Sequence, residues 1–313
     1  MELFIGVDVS KDRLDIHLEG LSQTVSIANT LESIQNWIND LFKLNKKHQI
    51  QLIICEATGG YEALMVTLLK TSQFPVHVVH ANKVRHFAKS IGQLAKTDKI
   101  DCRLLSQYAK VFHPQPDETQ VSPEVKTLHL YLKRRQQLIK QKVEEGNRLD
   151  KLLPEWLKKS IQEHVIWLEK KIAESDQSIK EYIESLPILK KPIDLLISIP
   201  GVGLLTAATI FASIPNLGHI PQKSLTALVG LAPFNRDSGK TFKKRSIQGG
   251  RRAVRSALYM ATVASLIHNP LLKNFYHKLK AKGKPSKVAI VACMRKLLLI
   301  LNAISKKQSP WIN

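Results

Sequence analysis

Short apolar runs and amphipathic segments alternate over the first third of the chain. Leu3–Val9 is apolar and rich in β-branched residues, and Arg13–Leu18 alternates apolar and polar positions with a period of two. Together with Thr24–Ala28, these segments predict three antiparallel strands. From Thr30 onward the apolar positions recur at helical spacing, which predicts a helix with Thr30 as its N-cap.

Strands and helices continue to alternate beyond this helix. Gln51–Thr58 predicts a second buried strand, and Gly59-Gly60 separates it from a helix that runs to about Leu69. Pro75–His80 predicts a fifth strand, and Asn82 opens another helix. Three antiparallel strands followed by alternating helices and strands indicate an α/β domain with a ribonuclease H-like sheet, in which the first and fourth strands are neighbours.

Four carboxylates occupy matching places in this predicted domain. Asp8 and Glu56 lie near the ends of the first and fourth strands, so we expect them at one edge of the sheet. Asp98 and Asp101 are three residues apart and would project from one face of a helix. Two-metal phosphoryl chemistry needs several oxygen ligands around ions about 3.5–4 Å apart. We therefore predict metal binding by these four acids, although acids at a helix start also suit the macrodipole.

The composition changes to Lys, Glu, Gln and Leu between Ser122 and Leu186. Ser122 followed by Pro123 is typical of a helix start. After an interruption at Leu153-Pro154, apolar residues alternate by four and three, a heptad pattern with one polar position at Ser175. The pattern predicts a helical hairpin or an intermolecular coiled coil, and helical packing within one subunit explains it equally well.

The last third of the chain has the pattern of a helical core. The turn sequence at residues 199–203, I-P-G-V-G, resembles a helix-hairpin-helix, whose glycines let backbone amides approach a phosphate. A tight turn between core helices is the alternative. From Ser256 to Ile304 the helices are apolar enough to be core, and we expect Met260, Val263 and Val288 among the buried residues.

The charge of the chain points to polyanionic partners. Its 313 residues carry 47 Lys and Arg against 26 Asp and Glu, a formal net charge of +21. Nucleic acid is the favoured partner and a membrane surface the weaker one. The densest basic run predicts the nucleic-acid contacts, which are Arg236, Lys240, Lys243, Lys244, Arg245, Arg251, Arg252 and Arg255. Ser238 lies within this run and is a candidate nucleophile, although on residue type alone a turn serine is the commoner meaning.

The cysteines and the terminal segments indicate an intracellular protein. Cys55, Cys102 and Cys293 form no C-x-x-C pair, which favours reduced thiols and argues against a zinc site. The N-terminus lacks the pattern of a signal peptide, and we expect no apolar run near the ~18 residues of a membrane span. The predicted location is cytoplasmic, without membrane contact.

Six motifs carry a family resemblance, and they are G-V-D-V-S-K, I-C-E-A-T-G-G-Y, K-T-D-K-I-D, I-P-G-V-G, L-V-G-L-A-P…D-S-G-K-T and G-G-R-R…R-S-A-L-Y-M. In this order they closely resemble the DEDD transposases of the IS110 insertion-sequence family, relatives of the Piv and MooV DNA invertases. The resemblance spans nearly the whole chain. It implies a RuvC-like domain at residues 1–115, a coiled-coil helical linker at 122–188 and a mostly helical transposase domain at 190–313.

The same resemblance implies site residues and a reaction. It places the family's tetrad on Asp8, Glu56, Asp98 and Asp101 and its nucleophilic serine on Ser238. The implied enzyme is a transposase that cuts and rejoins DNA with Mg²⁺ through a phosphoserine-DNA intermediate. A structured bridge RNA would pair with donor and target DNA, so that base pairing specifies the sequence while basic side chains hold the backbone.

Two questions about assembly and mechanism stay open at this point. We expect a homo-oligomer, a dimer that assembles to a tetramer, with a composite site because the acids and Ser238 fall in separate domains. A RuvC-like junction resolvase with water as nucleophile is the alternative enzyme, and a catalytically silent nucleic-acid-binding protein is the non-enzymatic one. An actin-like sugar kinase is disfavoured, since a second glycine-rich phosphate loop is missing.

Overall fold

The chain forms two compact units, residues 1–120 and 121–313. The structure, a computed structural model, describes residues 2–93, 98–117, 122–149, 152–234 and 246–312, and the side chains of residues 98–100, 234 and 246 lie outside this description. The second unit contains the segment 122–188 together with the C-terminal helices. The finer boundaries at 1–115, 122–188 and 190–313 remain a prediction.

The first unit is a mixed five-stranded sheet with helices on both faces. Its elements are β1 (Glu2–Val9), β2 (Arg13–Glu19), β3 (Gln23–Ala28), α1 (Leu31–Lys47), β4 (Gln49–Glu56), α2 (Ala63–Thr71), β5 (Val76–Val79), α3 (Ala81–Ser90) and α4 (Asp98–Phe112). The strand order is β3-β2-β1-β4-β5. β2 pairs antiparallel with β1 and β3, whereas β4 pairs parallel with β1 and β5. The predicted α/β order and the neighbouring first and fourth strands are confirmed.

Alternate side chains of the central strands enter two separate cores. Ile5, Val7 and Ile53 pack with residues of α1 and α2 on one face of the sheet. Phe4 and Ile54 pack with residues of α3 and α4 on the other face. Burial on both faces explains why β1 and β4 are nearly continuous apolar runs. Thr30 caps α1 as predicted, because its side chain accepts a hydrogen bond from the Ser33 amide.

The segment after α4 closes the outer edge of β5. The Asp117 amide donates to the Val76 carbonyl at 2.8 Å, and Asp117 Oδ2 accepts from the Val78 amide at 2.8 Å. His77 Nδ1 lies 3.0 Å from Asp117 Oδ1, and Lys70 Nζ donates to the Asp117 carbonyl at 2.8 Å. Asp117 therefore satisfies backbone groups that an edge strand would otherwise leave exposed.

The second unit is helical apart from one short pair of strands. Its elements are α5 (Pro123–Gly146), α6 (Glu155–Ser185), α7 (Pro187–Ile197), α8 (Leu204–Ser213), α9 (Gln222–Val229), β6 (Pro233–Phe234), β7 (Ser246–Ile247), α10 (Arg252–His268), α11 (Pro270–Ala281) and α12 (Ser286–Lys307). One hydrophobic core joins α5 and α6 to the C-terminal helices through residues such as Leu128, Ile179, Leu258 and Leu297.

Helices α5 and α6 form an antiparallel hairpin within the chain. The ring of Tyr131 contacts that of Tyr182, Arg135 forms an ion pair with Asp176, and Lys142 forms one with Glu169. The residue numbers rise along α5 as those of their partners fall along α6, so the two helices are antiparallel. The described heptad positions are buried or half-buried, and Ile161, Leu168 and Ile179 are the most buried of them. Of the predicted alternatives, the helical hairpin is the one that a single chain forms.

The I-P-G-V-G turn connects α7 to α8 and packs against α10. Gly201 has a φ of +96°, and a Cβ there would lie 2.3 Å from Ser265 Oγ. Ser265 Oγ in turn donates to the Pro200 carbonyl at 2.9 Å. Gly201 is therefore required for contact between helices, whereas a Cβ at Gly203 would meet open space.

Two expectations about the C-terminal helices are wrong. Met260, Val263 and Val288 are exposed at 64%, 37% and 53%. α10 buries the face of Leu258 and Ala261, opposite Met260 and Val263, and α12 buries the face that begins with Ala289 rather than Val288. The expectation that no apolar run has the length of a membrane span also fails for α12, which is long and apolar enough. In this structure α12 buries residues from Ala289 to Ile304 in the helical core.

Candidate active site

Asp8 and Glu56 lie side by side at one edge of the sheet. β1 and β4 run parallel, and their register pairs Val7 with Cys55, immediately before the two acids. Side chains alternate along a strand, so Asp8 faces the same side as Gly6, and Glu56 the same side as Ile54. That side is the one covered by α3 and α4. Both acids are half-buried.

Gly6 allows α4 to lie directly on β1. A Cβ at Gly6 would lie 2.1 Å from the Cys102 carbonyl oxygen and 2.5 Å from the Ser106 nitrogen, both in the backbone of α4. Such distances are far shorter than the contacts between non-bonded atoms in folded proteins. Because residue 6 has no side chain, the N-terminal half of α4 can lie close to Asp8. This helix begins at Asp98.

Asp101 joins this group of acids from α4. It lines a cavity of about 410 Å³ together with Glu56, and most of the remaining wall comes from α3 and α4. Asp8 is also close to α4, since its carboxylate helps to raise the pKa of Cys102. Asp98 is the first residue of α4, one helical turn before Asp101, and its side chain lies outside the described part of the chain.

The donor chemistry of this edge fits a hard divalent cation. Asp8, Glu56 and Asp101 offer carboxylate oxygens, the ligands that Mg²⁺ prefers. Burial first, and then the Asp15 and Asp8 carboxylates, raise the pKa of the Cys102 thiol to about 11, so this thiol is neutral in the metal-free protein. Among the side chains that the structure describes, no three His, Cys, Asp or Glu gather closely enough to hold a metal ion.

Two polar side chains fix the loops that leave β1 and β4. Asn29 Nδ2 donates to the Ser10 carbonyl at 2.9 Å and to the Tyr61 carbonyl at 3.1 Å. Glu62 Oε2 accepts from the Thr58 hydroxyl and from the Gly60 amide, each at 2.9 Å. Burial opposes the charge on Glu62, but these hydrogen bonds outweigh it and lower its pKa. The strand ends that carry Asp8 and Glu56 are thus joined by side-chain contacts.

A fifth acid lies directly across from Asp8. The β1–β2 register pairs Asp8 with Asp15, and Asp15 is only 8% exposed. Arg13 Nε donates to Asp15 Oδ2 at 3.0 Å, which compensates the charge of this carboxylate. In the alternating pattern of Arg13–Leu18, Asp15 has the appearance of an ordinary polar position, so the sequence did not predict a role for it.

Known families match both units of the chain. A family model described as a transposase, the DEDD transposase of IS110, matches residues 5–157, and one described as the transposase of the IS116/IS110/IS902 family matches residues 193–277. The chain belongs to the IS110 family of transposases. The resemblance inferred from its motifs is therefore confirmed, and the protein is an enzyme that cuts and rejoins DNA.

Relatives of this IS110-family transposase differ in how much of it they cover. The pilin gene-inverting protein of Moraxella bovis is 29% identical over 98% of this chain and 97% of its own length. That of Moraxella lacunata is 28% identical with the same coverage. An uncharacterised 43.6 kDa protein of insertion element IS110 from Streptomyces coelicolor is 27% identical over 41% of this chain and 31% of its own.

The described part of the C-terminal match of this transposase includes three of the predicted basic contacts. Arg251, Arg252 and Arg255 lie at the start of α10. Arg252 is exposed, and Arg255 Nη1 donates to the Gly249 carbonyl. Ser238 and the other predicted contacts, Arg236, Lys240, Lys243, Lys244 and Arg245, lie outside the described residues.

Three glycines interlock at the base of this basic segment. A Cβ on Gly230 would lie 2.2 Å from the Gly249 carbonyl oxygen, and a Cβ on Gly250 would lie 2.2 Å from the Gly230 nitrogen. The strands that flank residues 235–245 pair antiparallel, Pro233 with Ile247. The L-V-G-L and G-G-R-R motifs are thus in contact through their backbones, and this contact fixes where α10 starts.

The residues that sequence reasoning missed act through contacts between distant segments. Gly6, Asn29 and Glu62 form their contacts with α4, with two loops and with a glycine turn. The one available signal was that Gly6 and Glu62 adjoin the acids, within or next to motifs already singled out. Arg85 and Lys89, which also line the cavity of Asp101, had no signal beyond the general positive charge.

Proposed function

We propose that the protein is the recombinase of an insertion sequence and that a RuvC-like domain in its first unit carries a DEDD metal site. The observation that supports this most strongly is the shared face of Asp8, Glu56 and α4, the helix that carries Asp98 and Asp101. The two strands and the helix that carry these acids share one face of the sheet, although the acids are far apart in sequence. Bound Mg²⁺ would neutralise the charge of the scissile phosphate and polarise it for attack.

In this proposal the chain's own residues bind the cation and carry out the strand transfer. Asp8, Glu56, Asp98 and Asp101 hold the cation, while Gly6 keeps α4 against the sheet. Ser238 Oγ attacks the phosphorus and forms a phosphoserine bond while the bond to one deoxyribose oxygen breaks, and the proton of the serine hydroxyl passes in net to that leaving oxygen. The released deoxyribose hydroxyl of another strand then attacks phosphoserine, which restores the serine and rejoins DNA without loss of bond energy.

The basic residues hold the backbone rather than specify the sequence. Arg251, Arg252 and Arg255 begin α10 in the described structure, and the run from Arg236 to Arg245 precedes them in the chain. Contacts of Lys and Arg with phosphates position a duplex but carry no sequence information. A bridge RNA that pairs with donor and target DNA supplies specificity in this proposal. A homo-oligomer with acids and serine from different subunits completes the site.

Site-specific inversion is a second candidate for the same chemistry. The relatives that match this chain over almost their full length are gene-inverting proteins, whereas the IS110 element protein is matched over 31% of its length. A plasmid with two copies of the element's junction separates these outcomes. If the two junctions stand in inverted orientation and the only product is inversion of the DNA between them, the result would favour an invertase. Insertion of the element into a second plasmid would favour a transposase.

The proposal is tested by cleavage and trapping on the junction DNA of the element. We expect Asp8→Asn to abolish Mg²⁺-dependent cleavage, since the ligand set loses a charge, while Asp40→Asn on the far side of the sheet leaves it unchanged. Denaturation of the reaction should trap a protein-DNA adduct, and Ser238→Ala should lose it.

Two results would contradict the proposal. Full cleavage by Asp8→Asn would exclude the DEDD site, and cleavage by Ser238→Ala without any adduct would instead indicate a junction resolvase that uses water. Mixed oligomers of Asp98→Asn and Ser238→Ala subunits test the composite site. Complete failure of such mixtures to recover activity would place acids and serine in one subunit.

A further inference from the structure

The cavity beside Glu56 and Asp101 extends beyond the two acids along α3 and α4. Its floor is apolar, since Val84, Leu104 and Leu105 are 4%, 5% and 1% exposed and belong to the core under these helices. Its volume of about 410 Å³ falls in the range of small-molecule sites, about 300–1,000 Å³. The cavity is therefore large enough for one nucleotide.

Two cations of α3 stand at the rim of this cavity. Arg85 and Lys89 are four residues apart, so they project from one face of the helix, and both are exposed. Neither forms an ion pair within 4.0 Å with any residue that the structure describes, although Glu56 and Asp101 line the same cavity. Their charges are consequently available to an anion that enters from solvent.

We propose that this cavity binds one nucleotide of the DNA strand, next to the phosphate that is cut. Arg85 and Lys89 contact its backbone phosphate, and its base, displaced from the stack, lies against Val84, Ala88 and Leu104. The inference rests on the proposed function, because that proposal places the scissile phosphate at Asp8, Glu56 and Asp101. A charged rim over an apolar floor matches both parts of a nucleotide, whereas a solvated helix face would lack the floor.

Methyl NMR titration of the full-length protein tests the site without metal or cleavage. The probe is the deoxydinucleotide of thymidine with a 5′-phosphate, in the presence of EDTA. We expect the largest shifts at the Val84, Ala88 and Leu104 methyl groups. An abasic analogue of equal charge should bind about tenfold more weakly, because the base contributes stacking and apolar contact.

Matched variants separate this site from general attraction to a basic protein. Arg85→Gln with Lys89→Gln should weaken dinucleotide binding about tenfold, whereas Lys46→Gln with Lys47→Gln at the end of α1 should leave it unchanged. Ala88→Phe fills the cavity and should remove the preference for the dinucleotide over the abasic analogue. Thermal unfolding of each variant verifies that it folds, and the wild-type comparison of probe and analogue stands without any variant.

Three results would overturn the proposal. The first is equal affinity of the wild type for the dinucleotide and the abasic analogue. The second is an equal loss of dinucleotide affinity in the Arg85/Lys89 and the Lys46/Lys47 double variants. The third is tighter binding of the ribodinucleotide, which would assign the cavity to RNA. Its failure is distinguishable from failure of the DEDD proposal. If only the nucleotide site is wrong, Asp8→Asn still abolishes cleavage; if only the metal site is wrong, the dinucleotide still shifts Ala88.

Discussion

At the scale of single residues, the candidate site depends on a glycine at position 6. Asp8 and Glu56 were predictable, because strand order and a period of two place them at one sheet edge. Gly6 was not, because the need for glycine arises only when the Cys102 carbonyl lies where a Cβ would be. The local sequence pattern of β1 does not indicate which helix packs across it.

The substitution Gly6→Ala should therefore disturb stability and site together. Its Cβ would meet the backbone of α4, which cannot give way as a flexible side chain can, and we expect a loss of about 3 kcal/mol in the free energy of unfolding. Gly59→Ala is the matched control in the same unit. Its φ is +82° but its Cβ would meet nothing within 4 Å, so only backbone strain of about 1 kcal/mol applies.

Urea unfolding followed by circular dichroism measures both losses. Equal losses for the two variants would show that α4 does not press on Gly6 in solution. The same comparison bears on activity, since a displaced α4 would separate Asp101 from Glu56 and lower cleavage in Gly6→Ala more than in Gly59→Ala.

At the scale of elements, the order of strands and helices was predictable and their burial was less so. The heptad pattern of α6 correctly predicted Ile161, Leu168 and Ile179 as buried positions. Met260 on α10 was wrongly assigned to the core, because an apolar helix gives no strong indication of which face is covered. The partner helix decides that face, and its position is a property of the whole fold.

The hairpin of α5 and α6 supplies a comparison within one helix. Leu168 is 1% exposed and Ile166 is 64% exposed, two residues apart. We expect Leu168→Ala to cost about 2–4 kcal/mol of unfolding free energy through a cavity, and Ile166→Ala to stay within about 0.5 kcal/mol. Chemical denaturation of both variants measures the difference, and a large cost for Ile166→Ala would instead show that its face is covered by another chain.

The clip that Asp117 forms at β5 predicts a dependence on pH. Burial opposes ionisation of Asp117, but hydrogen bonds from His77 and the Val78 amide outweigh it and lower the pKa below its usual 3.8. A lowered folded pKa means that the stabilising contribution is present above about pH 3.8 and is lost as the pH falls through the folded value. Asp117→Asn should thus cost about 1–2 kcal/mol at pH 6.

Urea titrations of the wild type and Asp117→Asn at a series of pH values from 6 downward measure this contribution. The difference between the two proteins should shrink as the pH falls through the folded pKa of Asp117, because the protonated carboxyl group is as uncharged as the amide of the variant. A difference that stays constant over the whole series would mean that the charge of Asp117 does not contribute.

At the scale of the whole molecule, the formal net charge of +21 governs how the protein meets nucleic acid. This charge was evident from composition, and it correctly indicated a nucleic-acid partner. Composition does not show which Lys and Arg side chains contact DNA. Each of them counts equally toward the net charge, whether or not a nearby carboxylate pairs with it. Lys158, for example, lies 2.9 Å from Glu155, whereas Arg252 at the start of α10 is exposed.

Binding to duplex DNA at increasing salt concentrations separates these cases. We expect Arg252→Gln to reduce the slope of log K against log salt by about 1, as one phosphate contact is lost. Lys158→Gln has the same change of charge and should leave the slope unaltered. Fluorescence anisotropy measures both, and equal slopes for wild type and Arg252→Gln would remove Arg252 from the interface.

The interlocked glycines have a consequence for protein engineering. Because Gly230 meets Gly249 and Gly250, and because Pro233 pairs with Ile247, the residues that flank the segment 235–245 on its two sides lie next to each other. That segment can be exchanged as a cassette, with its anchoring residues left in place. Chimaeras that receive it from an invertase would reveal whether the choice between inverting and inserting DNA travels with those eleven residues.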